Sequence, residues 1–309
     1  SANCGTCRPA LSCVSRTSGE PGMKKRALLS AAILFIATAA AAQDDSNWKV
    51  IDVVPGIHMF QSDRGFAGGN LGLLTGDDGV VLIDDGMPTI PATTVAQVEE
   101  ITGDPVNFVI NTHAHGDHTG ANAAFMDKGA TVVVHENLRA ALVNDEQYDQ
   151  SALPELTFND SVTFHLNGPS AKVFHIPRAH TSGDAAIHFT GVNVIHTGDV
   201  MFNGMFPFID LDGGGSVDGY IAGQQTLLAM ADDETRIIPG HGPLASKADL
   251  QAAVDMLIDA QARVKALVDD GQSLEDVQAA NPLSVYESWS WDFITTERIT
   301  QTIYRSLTE

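Results

Sequence analysis

Cysteine is nearly missing from this sequence. Only three of its 309 residues are cysteine, Cys4, Cys7 and Cys13, and none follows them. A disulfide-stapled scaffold is therefore excluded beyond residue 13. So is a thiolate zinc site, because Cys4 and Cys7 have no second pair of ligands to join. Basic side chains are scarce as well: 17 Lys and Arg stand against 39 Asp and Glu. Residues 1–42 hold five of the basic groups and one acidic group, which leaves 12 basic against 38 acidic in residues 43–309, a formal charge of −26. Such a field repels polyanions and argues against nucleic acid or an anionic membrane surface as partner. Nowhere is there a run of the ~20 apolar residues that a membrane span needs. No collagen-like repeat, heptad pattern or low-complexity linker appears after Gln43. What is present is a chain 44% hydrophobic, long enough to bury a substantial core.

One apolar stretch does stand out. Met23-Lys24-Lys25-Arg26 forms a basic head, Ala27–Ala42 is a short Ala-rich run, and Ala40-Ala41-Ala42 gives it a small-residue exit. That pattern predicts a signal peptide over 23–42, a mature start at Gln43, and a periplasmic or secreted protein. Ser1–Gly22 precede the signal's own methionine and are read as an upstream leader foreign to the exported protein. Residues 43–309 are then one catalytic domain, with a helical C-terminal part over 248–309.

Within that domain the hydrophobic period changes along the chain. Residues 48–85 read as strands, with Leu71–Thr75 and Val80–Ile83 flanking the turn residues Gly76-Asp77-Asp78-Gly79 as a hairpin. Helical spacing over 88–102 leads to a short strand, Phe108–Ile110, then to a helix from about Thr119 and a strand at Thr131–Val134. The second half repeats the theme, with strands at Ser161–Leu166, Lys172–Ile176, Ala185–Phe189, Val192–His196 and Arg236–Ile238. Helices are expected over 217–230 and from Ala248 to Asp269. Two strand-rich halves, each followed by helices, predict an α+β fold of two packed sheets with helices outside.

The chemistry concentrates where Phe108–Ile110 ends. His113, His115, Asp117 and His118 are four potential metal ligands within six residues. His113 and His115, two apart on extended chain, project to one side, and small Ala114 and Gly116 permit a turn before Asp117 and His118. That suits two adjacent metals, one at each pair. Imidazole and carboxylate without thiolate suit zinc, and also iron or manganese. His180, Asp199 and His241 each follow an apolar strand beside small or turn residues. His180 would complete a three-histidine site, His241 would join Asp117 and His118, and Asp199 could bridge the two. The remaining histidines, His58, His135, His165, His175, His188 and His196, read as ordinary packed or hydrogen-bonded residues.

His113-x-His115-x-Asp117-His118, followed in order by His180, Asp199 and His241, resembles the metallo-β-lactamase superfamily over about Trp48–Gly242. The resemblance implies an αβ/βα four-layer sandwich with two zinc ions at one edge. It also gives Asp84 the part of a carboxylate that supports the metal loop. It further implies a dinuclear hydrolase in which metal-ionised water attacks a carbonyl, with Asp117 orienting the nucleophile. Class B β-lactamases typically carry cysteine or serine where Asp199 stands, whereas glyoxalase II-like thioesterases and lactonases carry aspartate. Export together with this site predicts β-lactamase-like hydrolysis of a cyclic amide, and so an association with antibiotic resistance. The alternative is a lactonase or thioesterase. An iron persulfide dioxygenase shares the histidine pattern, while flavin-partnered di-iron relatives usually carry glutamate where His115 sits. The substrate is expected to be a small molecule. Phe66, on a Gly-rich loop over Gln61–Asn70 that could serve as a flap, is a candidate substrate contact. Asn203 and Phe206, in the apolar stretch Met201–Phe208, are two more.

Overall fold

Pro55-Gly56 splits the first β-rich stretch and turns the chain back on itself, with Gly56 at φ 80°. The two arms, β1 (Asn47–Val54) and β2 (Ile57–Arg64), pair antiparallel. β3 (Leu71–Leu74) and β4 (Val81–Ile83) extend the meander around the Gly76–Gly79 turn. The computed structural model describes residues 46–309. The three cysteines, the upstream leader and the signal-peptide stretch lie outside the described residues.

From β4 onward the first sheet is parallel, and helices carry each crossover. Helix α1 (Pro91–Thr102) leads to β5 (Phe108–Ile110). Two short helices, α2 (Gly116–Thr119) and α3 (Asn122–Met126), lead to β6 (Thr131–His135), and α4 (Glu136–Asn144) leads to β7 (Leu156–Phe158). The seven strands lie in chain order.

The second sheet opens as an antiparallel meander of β8 (Ser161–His165), β9 (Ser170–His175), β10 (Ala185–Thr190) and β11 (Val194–His196). Helix α5 (Val217–Met230) then crosses to β12 (Arg236–Ile238), which runs parallel to β11, and β13 (Ala245–Ser246) closes the edge. Helices α6 (Lys247–Asp269), α7 (Leu274–Ala280) and α8 (Thr296–Thr308) follow. Ser246 and Asp249 form a capping box at the start of α6, satisfying orphan backbone N–H groups there.

Three apolar layers glue these elements together. Ile57, Met59, Ile83 and Val133 of the first sheet meet Val173, Ile187, Phe189 and Ile238 of the second. Val95, Val98, Phe125 and Leu138 pack helices on the outer face of the first sheet. Val217, Tyr220, Leu257 and Ile299 do the same for the second. Each such side chain, when fully buried, stabilises the fold by ~1.5–3 kcal/mol before conformational entropy is charged against it. The α+β, four-layer αβ/βα arrangement expected above is the one observed. The C-terminal helices α6, α7 and α8 belong to the outer layer of the second sheet.

Three local expectations need correction. Helix α4 and strand β7 had not been anticipated. The helix after the histidine cluster begins at Gly116, so Asp117 and His118 stand on a helical turn rather than on a loop ahead of one. Gln61–Arg64 are the end of β2, which shortens the Gly-rich loop to residues 65–70.

The parallel pairings decide where the site sits. β4, β5, β11 and β12 end, respectively, at Asp84, at the 111–118 segment, just before Asp199, and just before His241. The β9–β10 connection brings His180 to the same edge. Crevices beyond the C-terminal ends of parallel strands are where α/β architectures bind ligands. Backbone bonds tie the two halves together there. Ala185 N–H donates to Thr112 O at 2.8 Å, and Asn70 N–H to Gly240 O at 2.7 Å.

Candidate metal centre

All seven side chains expected as ligands come together at this edge, in two groups. His113, His115, His180 and Asp199 form one, and Asp117, His118 and His241 the other. Within each group the potential ligand atoms lie within 4.8 Å of one another. Asp199 stands between the two. Its Oδ1 is 3.2 Å from His118 Nε2, and its Oδ2 is 3.5 Å from His180 Nε2 and 3.4 Å from His241 Nε2. Asp117 Oδ2 lies 3.4 Å from His241 Nε2 and 3.5 Å from His118 Nε2.

In four of the five histidines the inward nitrogen is freed because the other ring nitrogen is held elsewhere. His118 Nδ1 donates to Asp84 Oδ2 at 2.8 Å. His113 Nδ1 donates to the Thr112 hydroxyl at 3.0 Å, which in turn donates to Asp84 Oδ2 at 2.8 Å. His180 Nδ1 donates to the Phe208 carbonyl at 2.7 Å. His115 is reversed: its Nε2 bonds Asp210 Oδ2 at 3.1 Å, so its Nδ1 faces His180 Nε2 at 2.9 Å. Partners of this kind fix tautomer and ring orientation in metal sites. Asp84 thereby orients one histidine from each group. It also accepts the Thr112 N–H at 2.7 Å, which holds it at a φ of 57°, a left-handed conformation that costs ~1–3 kcal/mol in a non-glycine residue.

The residues fit a cation by their chemistry. His113 Nε2, His118 Nε2 and Asp199 Oδ1 are buried without a hydrogen-bond partner, and all three point into the cluster. Leaving such atoms unpaired costs ~1–3 kcal/mol each, which coordination would remove. Charge tells the same story. Burial disfavours a charged His118 and a charged His241, yet the Asp199 and Asp117 carboxylates outweigh it. They hold His118 well above the ordinary imidazole range and lift His241 to about 9. Burial first, and then the charges of neighbouring histidines, push His180 down to about 4 and His113 well below normal. Asp117 and Asp199 stay ionised: burial pulls the other way, but the facing histidines keep both well below the usual carboxylate range. Room is tight as well. A Cβ on Gly240 would collide with the Asp199 carboxylate, and one on Gly69 with the His118 ring.

The expected substrate contacts separate. Phe66 is half exposed and stacks on His241, ring centroids 6.1 Å apart. Phe206 is fully buried in the core around α5 and α6, so it lines no open surface; the apolar stretch that contains it turns inward. Asn203 braces the His241 loop, its N–H donating to His241 O at 2.9 Å and its side chain to Pro243 O at 3.0 Å. Four contributors had escaped the sequence reading: Thr112, Asp210, the Phe208 carbonyl, and Asn70. The Asn70 side chain donates to Pro239 O at 2.9 Å and to Gly242 O at 2.8 Å, holding His241 in place. Of the other histidines, buried His196 sits beside the cluster, its Nδ1 accepting from Gly198 N–H at 3.2 Å, while His58, His135 and His175 bond or stack elsewhere. His58 bonds Asp52 at 2.7 Å, and His135 stacks on His175 at 3.8 Å.

Comparison with known proteins agrees with this geometry. A stretch of 101 residues is 31% identical to hydroxyacylglutathione hydrolase of Pelagibacter ubique, covering 32% of this chain and 37% of that one. A longer stretch of 185 residues is 21% identical to 2,4-dinitroanisole O-demethylase subunit alpha of a Nocardioides species, covering 59% of this chain and 55% of the relative. The chain thus spans about a third to just over half the length of these two relatives. Among solved structures, a metallo-β-lactamase from Pontibacter korlensis superposes with a TM-score of 0.61 at 17% identity, over 69% of this chain and all of that one. The family model that matches covers residues 64–241, an interval that holds every one of the seven clustered side chains. By that match, and by the two-sheet frame that assembles the cluster, the chain belongs to the metallo-β-lactamase superfamily.

Proposed function

We propose that the chain is a dinuclear zinc hydrolase that splits thioesters or lactones with water, and that cyclic amides of the β-lactam type are its poorer substrates. The observation that carries this reading is Asp199, whose carboxylate faces both ligand groups, with Oδ1 3.2 Å from His118 and Oδ2 3.5 Å from His180 and 3.4 Å from His241. A carboxylate shared by two cations offsets part of their charge and weakens their pull on a departing atom. Thiolate and alkoxide need less of that pull than an amide nitrogen does. The relatives named hydroxyacylglutathione hydrolase support acyl transfer to water. The cyclic-amide reading draws on the expected export through residues 23–42, and the proposal includes that export, to the periplasm or beyond.

His113, His115 and His180 would hold one ion, Asp117, His118 and His241 the other, with Asp199 between them. Zinc so held supplies Lewis acidity, polarising a carbonyl and bringing the pKa of water down to ~7. The protein does the rest. Asp117, ionised and partly open to solvent, would accept a hydrogen bond from incoming water and so fix its direction of approach. His113, His118 and His180 are buried, which keeps bulk water away from the reacting carbonyl.

The test is a rate comparison on zinc-loaded protein. A simple thioester and an acyl lactone should be hydrolysed with kcat/KM at least roughly tenfold above that of a penicillin, the factor expected for ~1.4 kcal/mol of better transition-state fit. Chelation should abolish all three activities and zinc should restore them. Activity that survives complete metal removal would overturn the reading, as would inertness toward all three substrates.

A further inference from the structure

We propose that residues 291–298 form a specificity wall selecting substrates with an aromatic or bulky apolar acyl group, an inference that rests on the hydrolase reading above. The centre opens to solvent through three of its ligands. The His115 side chain is 27% exposed, Asp117 20% and His241 12%, while the other four are sealed. In a chain with only 6% aromatic residues, rings crowd that opening. Phe66 and Trp291 both stack on His241, at 6.1 and 6.4 Å. Phe208 packs on His115 and on His180, 5.6 Å from each. Phe293 closes the arc, 5.4 Å from Phe208 and 5.7 Å from Trp291.

Exposure singles out two of these rings. Among the described residues, seven large hydrophobic side chains are exposed, and the only aromatic ones are Phe66 and Phe293, at 50% and 45%. The other five are scattered aliphatics, which need no explanation on a soluble surface. The two half-bare rings flank His241, Phe66 directly and Phe293 through Trp291, which places exposed apolar surface beside the opening. Phe293 is also held firmly. The Arg298 guanidinium sits 3.9 Å over its ring and 5.5 Å from that of Phe208, and donates to the Phe293 carbonyl at 3.0 Å. Among the described residues Arg298 forms no ion pair, although the chain is rich in carboxylates. Trp291 Nε1 donates to Phe206 O at 2.9 Å, pinning the segment to the loop after Asp199. A ring fixed in advance loses little entropy when it meets a ligand.

Two features assign the wall its occupant. On the hydrolase reading the carbonyl would be polarised at the three-histidine group; Phe208 packs on His115 and His180 of that group and Phe293 packs on Phe208, so the part of the substrate they meet is the acyl part. The segment also lies beyond residue 241, where the family match ends.

Zinc-loaded wild type, Phe293→Ala and Phe293→Tyr are to be compared on S-phenylacetyl and S-acetyl esters of one thiol. Binding of phenylacetate is followed in parallel by quenching of tryptophan fluorescence. Wild type should prefer the phenylacetyl ester. Phe293→Ala should cut the ratio of the two kcat/KM values roughly tenfold, the worth of one aromatic contact with its buried area, and do so through KM. It should weaken phenylacetate binding by a similar factor, and Phe293→Tyr should restore both. An unchanged ratio together with unchanged phenylacetate binding would overturn the wall. If neither ester is turned over, the hydrolase reading fails, while the phenylacetate titration still decides whether the wall exists.

Discussion

Replacing Asp199 with alanine is expected to lower kcat roughly a thousandfold, a loss of ~4 kcal/mol in transition-state stabilisation, and to leave fewer than two zinc ions per chain. The size follows from its position. Asp199 is the one carboxylate that faces both ligand groups, within 3.7 Å of His113, His118, His180 and His241. Without it, four imidazoles converge on a space that has lost its central anion, and the two ions lose both their bridge and the charge that keeps them close. Its backbone will remain in place, because Tyr220 donates its buried hydroxyl to the Asp199 carbonyl at 2.9 Å. The variant should therefore fold, with an unchanged circular-dichroism spectrum. Metal analysis by mass spectrometry and steady-state kinetics check the prediction. Two tightly held zinc ions and near-wild-type turnover would show that Asp199 is a bystander.

Asp84→Asn should also be damaging, by a smaller factor, even though Asp84 would touch neither ion. Its carboxylate accepts from Thr112 N–H, the Thr112 hydroxyl and His118 Nδ1. An amide of the same shape can accept at one end only, and its NH2 would meet donors. His118 then loses its anchor, and His113 loses the Thr112 hydroxyl that fixes its ring. Changes in supporting partners of this kind typically cost 10–100-fold in metal affinity or activity. Because Asp84 serves one histidine of each group, both zinc affinities should fall together. Zinc titration with a chromophoric chelator reads this directly. Loss confined to one site would mean that the Thr112 link to His113 carries no weight.

The sequence made much of this visible, for identifiable reasons. His113, His115, Asp117 and His118 are dense enough to be seen without a structure. His180, Asp199 and His241 each follow a strand whose apolar run announces it. The two-layer sheet architecture followed from strand-rich halves separated by helices. Supporting residues were another matter. Asp210 meets His115 across 95 positions and Asn70 meets Pro239 across 169, and no spacing rule spans such distances. Asp210 sits in a loop that reads as unremarkable until it folds against the cluster. Phe206 and Phe208 are two apart in one apolar loop, yet one fills the core and the other flanks the metal ligands. Composition cannot separate inward from outward in an irregular segment. Trp291 and Phe293 were hidden for a related reason, since they reach the opening only because the C-terminal helices fold back over the second sheet. Helix α4 lacks a strong apolar stripe, with only Leu138 and Leu142 buried, so its periodicity is faint.

One diffraction experiment bears most directly on the account. Crystals of the zinc-loaded protein, measured on both sides of the zinc absorption edge, should show two anomalous peaks. One should lie among His113, His115 and His180, the other among Asp117, His118 and His241, with Asp199 between them. A map without peaks among these side chains would contradict it.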